Sequence, residues 1–381
     1  MIVGLSISTP RRRCTTGIGV THLRTQLRWQ DFHSSDTKRS LPSEANAETP
    51  TRLIASLAGV PVTRVPALIL GKIMTKTVLV TGSCGLVGRR LCALLRNGGF
   101  AVKELDLRGY GVSHGDVTRL ADIETAMQGC VGVVHLAAVS RVVWGQRDPE
   151  LCWRTNVTGL QNIVHAALAQ SSRPWLLFSS SREVYGQAPS LPVTETTALN
   201  PLNVYARSKA EGERIVLEAR SQGLQTAVVR LSNVYGCTKD HADRVIPAFS
   251  MAAIERLPLR IEGNNHTFDF MHVNDVVRGI GALIGLLESG GQSLSPVHLV
   301  SGHPTSLGEL AAICCRLAKS NAPATEAAPR SYDVARFYGD PSRARELLGW
   351  CPEISLEAGL MRLIEDFRQE LALHSVAEAS V

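Results

Sequence analysis

The chain is predicted to fold as a doubly wound α/β sheet, a parallel sheet with helices on both faces. Three observations predict it. A glycine-spaced turn joins the first apolar strand to a helix. Strands and helices then alternate from residue 77 to residue 231. The strands read as continuous apolar runs, as parallel strands buried on both faces do, and not as alternating ones.

The first strand is Thr77-Val78-Leu79-Val80. It runs into Gly82, Gly85 and Gly88, spaced G-x-x-G-x-x-G, and then into an amphipathic helix from Arg89 to Asn97. In that context the first two glycines permit a tight turn and close backbone approach to a pyrophosphate, and the third lets the helix pack on the sheet. The helix N-terminus then offers free N–H groups and a positive dipole end to the anion. The second strand, Ala101 to Leu105, ends in Asp106, 18 residues past Gly88, where an acid holds the adenosine ribose hydroxyls. That argues for NAD, although Arg108 leaves room for the extra phosphate of NADP. Gly115-Asp116-Val117 then follows. The third strand, Val131 to Leu136, ends in Ala137 and Ala138, small enough to let a cofactor approach. One long helix is expected from Pro149 to Gln170, with Asn156 inside it, read as solvated. Trp175 to Phe178 is the fourth strand, ending in Ser179-Ser180-Ser181, and Thr226 to Leu231 is the fifth. Gly82, Asp106, Ala137 and Ser181 all lie at carboxyl ends of strands, where ligands bind in such sheets.

Between the last two strands, Tyr205 and Lys209 are four apart, one turn on one helix face. Asn200 is the expected cap and Pro201 the first helical residue. An ammonium beside a phenol favours the phenolate, so the phenol's pKa is expected to fall and the group to accept protons near neutral pH. The same spacing also describes an ordinary solvated helix face.

The formal net charge is +6. Ten basic and four acidic residues before Met74 account for all of it, leaving thirty of each sign in the remainder. No basic excess suited to nucleic acid is left in that body. Residues 1–73 mix Ser, Thr, Pro and Arg without sustained periodicity, and the first 30 carry five Arg and no acid. They read as a targeting segment, a disordered extension, or a start placed upstream of Met74. The apolar stretch from Leu53 to Ile73 is interrupted by Pro61, Arg64 and Pro66, short of a membrane span. The nine cysteines form no Cys-x-x-Cys pair and no cluster with metal-ligand spacing, so neither a metal nor disulfides are expected, and the compartment reads as cytoplasmic.

Set together, these pieces resemble an extended short-chain dehydrogenase/reductase, in the NAD-dependent, nucleotide-sugar epimerase/dehydratase branch. The resemblance rests on Thr-Gly-Ser-Cys-Gly-Leu-Val-Gly at 81–88, His-Leu-Ala-Ala at 135–138 and Asn-Val-Thr-Gly at 156–159. Ser-Ser-Ser-Arg-Glu-Val-Tyr-Gly at 179–186, Tyr-Ala-Arg-Ser-Lys at 205–209 and Arg-Leu-Ser-Asn-Val-Tyr-Gly at 230–236 complete it. It implies a Rossmann domain over 74–236, with 269–300 returning to it. A substrate-binding part over 237–268 and 301–373 and a loose tail at 374–381 follow. It implies Tyr205 as acid/base, Lys209 on the nicotinamide ribose, and Ser181 on the reacting hydroxyl. It further implies Gly82, Gly85, Leu86, Val87, Gly88, Asp106, Asp116, Val117, Leu136, Ala137, Ala138 and Asn156 around NAD. Glu183, Asn233, Arg330 and Asp333 are implied around a nucleotide sugar, with Arg330 on a phosphate and Asp333 on a ribose. A homodimer through two helices per subunit is implied too.

Two positions depart from the pattern. Related dehydratases carry Asp-Glu after the serine, as acid and base for water loss; here the pair is Arg182-Glu183, which disfavours a 4,6-dehydratase. The family's diphosphate-binding Arg before Asp269 is replaced by Phe268. Phe337 aligns with a position that gates bulky C2 substituents, where an aromatic favours a plain hexose. The leading expectation is a 4-epimerase of a UDP-hexose, by default the UDP-glucose/UDP-galactose pair, working through a transient keto intermediate. The alternatives are a dehydrogenase/reductase of a steroid- or flavonoid-like alcohol, and a cofactor-binding sensor without turnover.

Overall fold

A computed structural model describes residues 75–290 and 292–379, with side chains to Ser375. The expectations for residues 1–73 lie outside the described residues.

Strand β1 (Thr77–Thr81) enters helix α1 (Leu86–Asn97) through the glycine turn. Strand β2 (Ala101–Leu105) and helix α2 (Leu120–Met127) follow, then β3 (Gly132–His135) and the short helices α3 (Val142–Arg147) and α4 (Pro149–Trp153). The expected single helix from Pro149 to Gln170 is broken: a π-helical turn, Arg154–Thr158, separates α4 from α5 (Gly159–Ala169). The break seats Asn156, which is buried and not solvated. Its Oδ1 accepts from the Val139 N–H at 2.7 Å, and its Nδ2 donates to Ser208 Oγ at 2.8 Å. Bulges of this kind often mark functional sites.

Strand β4 (Trp175–Ser181), helix α6 (Val204–Ser221) and strand β5 (Thr226–Leu231) complete the first half. The cap of α6 is Asn203, whose side chain accepts from the Ala206 N–H at 2.8 Å, and not Asn200. Asn200 is held elsewhere, its N–H donating to the Val184 carbonyl at 2.9 Å. The expected start at Asn200-Pro201 is therefore wrong by three residues, because the backbone at 200 is bonded to the segment after β4.

Beyond it come β6 (Asn233–Tyr235), α7 (Val245–Glu255), β7 (Leu259–Glu262), β8 (Thr267–His272) and α8 (Val273–Glu288). Then β9 (Val297–Leu299), β10 (Pro304–Ser306), α9 (Leu307–Ala318) and β11 (Ala324–Ala327) lead to α10 (Ser342–Leu348) and α11 (Leu356–Ala379). Helix α11 runs on through residues expected to be a loose tail.

The main sheet is parallel, in the order β2-β1-β3-β4-β5-β9. This is the doubly wound arrangement. One apolar layer packs α1 and α8 on one face and another packs α2, α5 and α6 on the other. A smaller sheet, β10-β8-β6, and the pair β11-β7 enclose a third core with α7, α9 and α11. Asp269–His272 belong to the small sheet, and α8 carries the chain back to the main one.

The glycine turn is fixed by backbone contact. Gly82 has φ +71°, and a Cβ there would lie 2.7 Å from the Ala137 nitrogen at the tip of β3. A Cβ on Gly88 would lie 2.2 Å from the Gly82 carbonyl oxygen. We expect Gly88→Ala to lower stability by about 2 kcal/mol or more, since neither backbone can retreat without moving a strand. The urea midpoint reports it, and an unchanged midpoint would contradict the close packing of turn on helix.

Candidate active site

Three consecutive residues at the end of β4 each engage α6. The Ser179 carbonyl accepts from Lys209 Nζ at 2.8 Å. Ser180 Oγ donates to Glu213 Oε1 at 2.5 Å. The Ser181 hydroxyl faces Tyr205 and draws its pKa down. Tyr205, Lys209 and Glu213 are spaced by four, so they stack along one face of the helix. Glu213 was missed, although it continues the spacing of the other two; it also grips Arg230 of β5, 2.7 Å from Oε2 to Nη2.

The electrostatics differ from expectation. Burial is the largest influence on Tyr205 and pushes its phenol up to about 12. The reason is that the phenolate has no water, and the Lys209 ammonium is spent on the Ser179 carbonyl, with Nζ 6.0 Å from the phenol ring centroid. Burial likewise pulls Lys209 down to about 8. His135, buried beneath the sheet tip, is held neutral by burial, with a pKa lowered to about 3.

Ser181 and Tyr205 border a cavity of about 490 Å³ that Glu183, Asn233, Arg330 and Asp333 also line. The structure therefore brings the five expected substrate-side residues and Tyr205 to one space. Several already hold one another. Glu183 Oε1 is 2.7 Å from Arg182 Nη2, and Glu183 Oε2 accepts from Asn203 Nδ2 at 3.0 Å. Arg330 Nε is 2.8 Å from Asp333 Oδ2. Phe268 forms part of the wall, with the Arg182 guanidinium 4.8 Å over its ring. Phe337 is not a wall residue as expected. It is 1% exposed, stacked on Tyr185 and covered by Arg182, so it cannot gate a sugar substituent directly.

Sequence reasoning also missed Arg141, Asp243 and Asn203. Arg141, on the loop after β3, hydrogen-bonds Asp243 on the segment before α7, tying two walls of the cavity together. No local pattern marks that pair; only the fold brings positions 102 residues apart into contact.

The strand tips next to this cavity fit a dinucleotide. Helix α1 carries no side-chain cap and no acid in its first turn, leaving its N-terminus to an anion. The glycine turn presents bare backbone there, with Leu86, Val87 and Cys84 partly exposed. Asp106, at the tip of β2, accepts from the Cys84 N–H at 2.9 Å and the Arg108 N–H at 2.8 Å, so it braces the turn. Leu136, Ala137 and Ala138 are partly exposed at the tip of β3. Asp116 accepts from the Thr118 N–H at 2.8 Å, and the Val117 carbonyl accepts from Asn162 Nδ2 at 3.1 Å. Asn156 supports the loop after β3 from behind.

Residues 78–294 match the NAD dependent epimerase/dehydratase family. The chain belongs to that family. A UDP-glucose 4-epimerase of Mycolicibacterium smegmatis is 29% identical to it, over 77% of this chain and 98% of the relative. UDP-glucuronic acid decarboxylase 2 of Arabidopsis thaliana is also 29% identical, over 77% of this chain and 68% of that one. Among solved structures, MoeE5 in complex with UDP-glucose and NAD superposes with a TM-score of 0.71 at 27% identity, covering 77% of this chain and 99% of MoeE5. The same protein is known in complex with UDP-glucuronic acid and NAD. The family relatives are thus nucleotide-sugar enzymes of more than one reaction type.

Lys209 gives this site a pH signature. Its folded pKa, about 8, lies below the ordinary lysine value of 10.5, so its stability contribution is full above about pH 10.5 and is lost as pH falls through 8. Relative to Lys209→Met, the wild type should gain up to about 3 kcal/mol between pH 8 and 10.5. Chemical denaturation of both proteins across that range measures it, and parallel curves would refute the buried ammonium.

Proposed function

We propose that this protein is an NAD-dependent nucleotide-sugar 4-epimerase that interconverts UDP-hexoses, the UDP-glucose/UDP-galactose pair being the simplest, through a transient keto sugar. The observation that carries the reading is that Ser181 and Tyr205 both line the cavity, with Lys209 one turn further along the helix that carries Tyr205. Glu183 separates this reading from a 4,6-dehydratase. Its carboxylate is ion-paired with Arg182, and no Asp stands beside it to act as the acid.

In this scheme Gly82, Gly85, Gly88 and Asp106 hold NAD, with Asp116, Val117 and Leu136–Ala138 along its edge. NAD supplies a hydride acceptor that is restored within each turnover. Ser181 orients the sugar hydroxyl, and Tyr205 takes and returns its proton. At rest Tyr205 is a phenol. It becomes a base only when positive charge is brought close, and Lys209 is the protein's own source of that charge. Asn233 and Arg330 serve the diphosphate, and Asp333 a ribose hydroxyl, once Arg330 and Asp333 exchange their mutual ion pair for the ligand. The protein acts in a reducing, cytoplasm-like compartment and as a homodimer through α5 and α6, between which a shallow groove is lined by Val164, Leu168 and Ile215.

A net dehydrogenase of another alcohol is the second reading, favoured by the apolar Phe268 in the cavity wall. A panel of nucleotide sugars, with products resolved, separates the two. An epimerase converts the sugar without accumulating reduced cofactor, whereas a dehydrogenase consumes NAD stoichiometrically. Tyr205→Phe should lower turnover at least about a hundredfold while NAD binding is kept. Near-normal turnover would remove Tyr205 from the chemistry.

A further inference from the structure

We propose that Glu213 is a positioning residue whose buried carboxylate keeps Lys209 cationic, one turn along α6 from Tyr205. This deepens the epimerase reading above and rests on it only for the part Lys209 plays in turnover. Glu213, Lys209 and Arg230 are all buried. Both carboxylate oxygens are held. Oε1 accepts from Ser180 Oγ at 2.5 Å and from Arg230 Nε at 2.9 Å, and Oε2 accepts from Arg230 Nη2 at 2.7 Å. Arg230 is anchored in turn, its Nη1 donating to the Tyr185 hydroxyl at 2.6 Å and to the Glu195 carbonyl at 2.9 Å. Lys209 Nζ donates to the carbonyl of Ser179, the residue before Ser180, at 2.8 Å. Two consecutive residues of β4 thus fix an ammonium and a carboxylate that stand one turn apart on the same helix face. The guanidinium reaches that carboxylate from β5, so Glu213 is the charge on Lys209's own helix.

The other groups facing Lys209 supply no charge. His135 of β3 is neutral, its pKa lowered by burial to about 3. Burial pushes the Tyr205 phenol up to about 12 and raises the Cys152 thiol of α4, so both keep their protons while Lys209 titrates. Strand β4 contributes the Ser179 carbonyl and the Phe178 ring, whose centroid is 4.9 Å from Nζ. Burial is the largest influence on Lys209 and pulls it down to about 8; Cys152 and then Glu213 oppose it, and of those two only Glu213 is charged at that pH. Neutralising Glu213 would remove this support and leave the Arg230 cation without its partner nearby. Both changes disfavour a second buried cation. Lys209 would then lose its proton at lower pH, and with it the positive charge that turns Tyr205 into a base.

The full-length protein tests this as wild type, Glu213→Gln, Glu213→Asp and Arg230→Gln. One readout needs no turnover. The stability of each protein is compared with that of the same protein carrying Lys209→Met, by urea denaturation from about pH 6 to about pH 11. The pH below which that difference levels off marks the folded pKa of Lys209. The second readout is the alkaline limb of kcat/KM with UDP-galactose and NAD. Glu213→Gln should move both markers down by about one pH unit. Glu213→Asp, which keeps the charge, should restore most of the shift. Arg230→Gln, which leaves the carboxylate without its counterion, should move both markers up. A purely structural clamp would weaken all three variants without these opposed shifts. Markers unmoved in Glu213→Gln, or moved down alike in Glu213→Gln and Arg230→Gln, overturn the proposal. Should Glu213→Gln not fold, Arg230→Gln decides: an upward shift supports the proposal and an unmoved marker overturns it. A wild type that turns over no nucleotide sugar overturns the epimerase reading, while the stability marker still decides the part of Glu213.

Discussion

The contact between the last turn of strand β4 and the first turns of α6 is the constraint on which the rest depends. Ser179, Ser180 and Ser181 meet Lys209, Glu213 and Tyr205 in register, through a carbonyl and two hydroxyls. A strand end and a helix start are both rigid, so side chains placed there hold their geometry better than those on loops. Glu213 carries the clamp further, to Arg230 and through it to Tyr185. Buried ion pairs of this kind cost desolvation and hold only because every oxygen finds a donor. The register of β4, α6 and β5 is thereby fixed before any ligand arrives.

The same burial that orders the site leaves it chemically quiet at rest. Tyr205 is protonated and Lys209 is a weakened cation, because neither charge has water around it. Such a site is poised for a ligand that brings charge with it.

Charge on the substrate side is arranged in pairs: Arg182 with Glu183, Arg330 with Asp333, Arg244 with Asp240. Each pair keeps the cavity wall near neutrality while offering donors and acceptors on opposite sides. Two atoms of these pairs are buried without a hydrogen-bond partner, Arg182 Nη1 and Asp240 Oδ2.

Sequence alone determined the order of the central elements, the glycine turn, the acid at Asp106 and the Tyr205–Lys209 face. These depend on local periodicity and on backbone permissiveness, which neighbouring residues encode. Tertiary structure decided the rest. The break at Arg154–Thr158 exists because Asn156 must reach the Val139 backbone and Ser208, and nothing within the helix pattern announces those partners. Asn203 displaced Asn200 as the cap because Glu183 and the Tyr332 carbonyl draw its amide inward, 20 and 129 positions away. The phenol's pKa moved opposite to expectation because spacing gives the distance between two groups along a helix but not the water that burial removes from both.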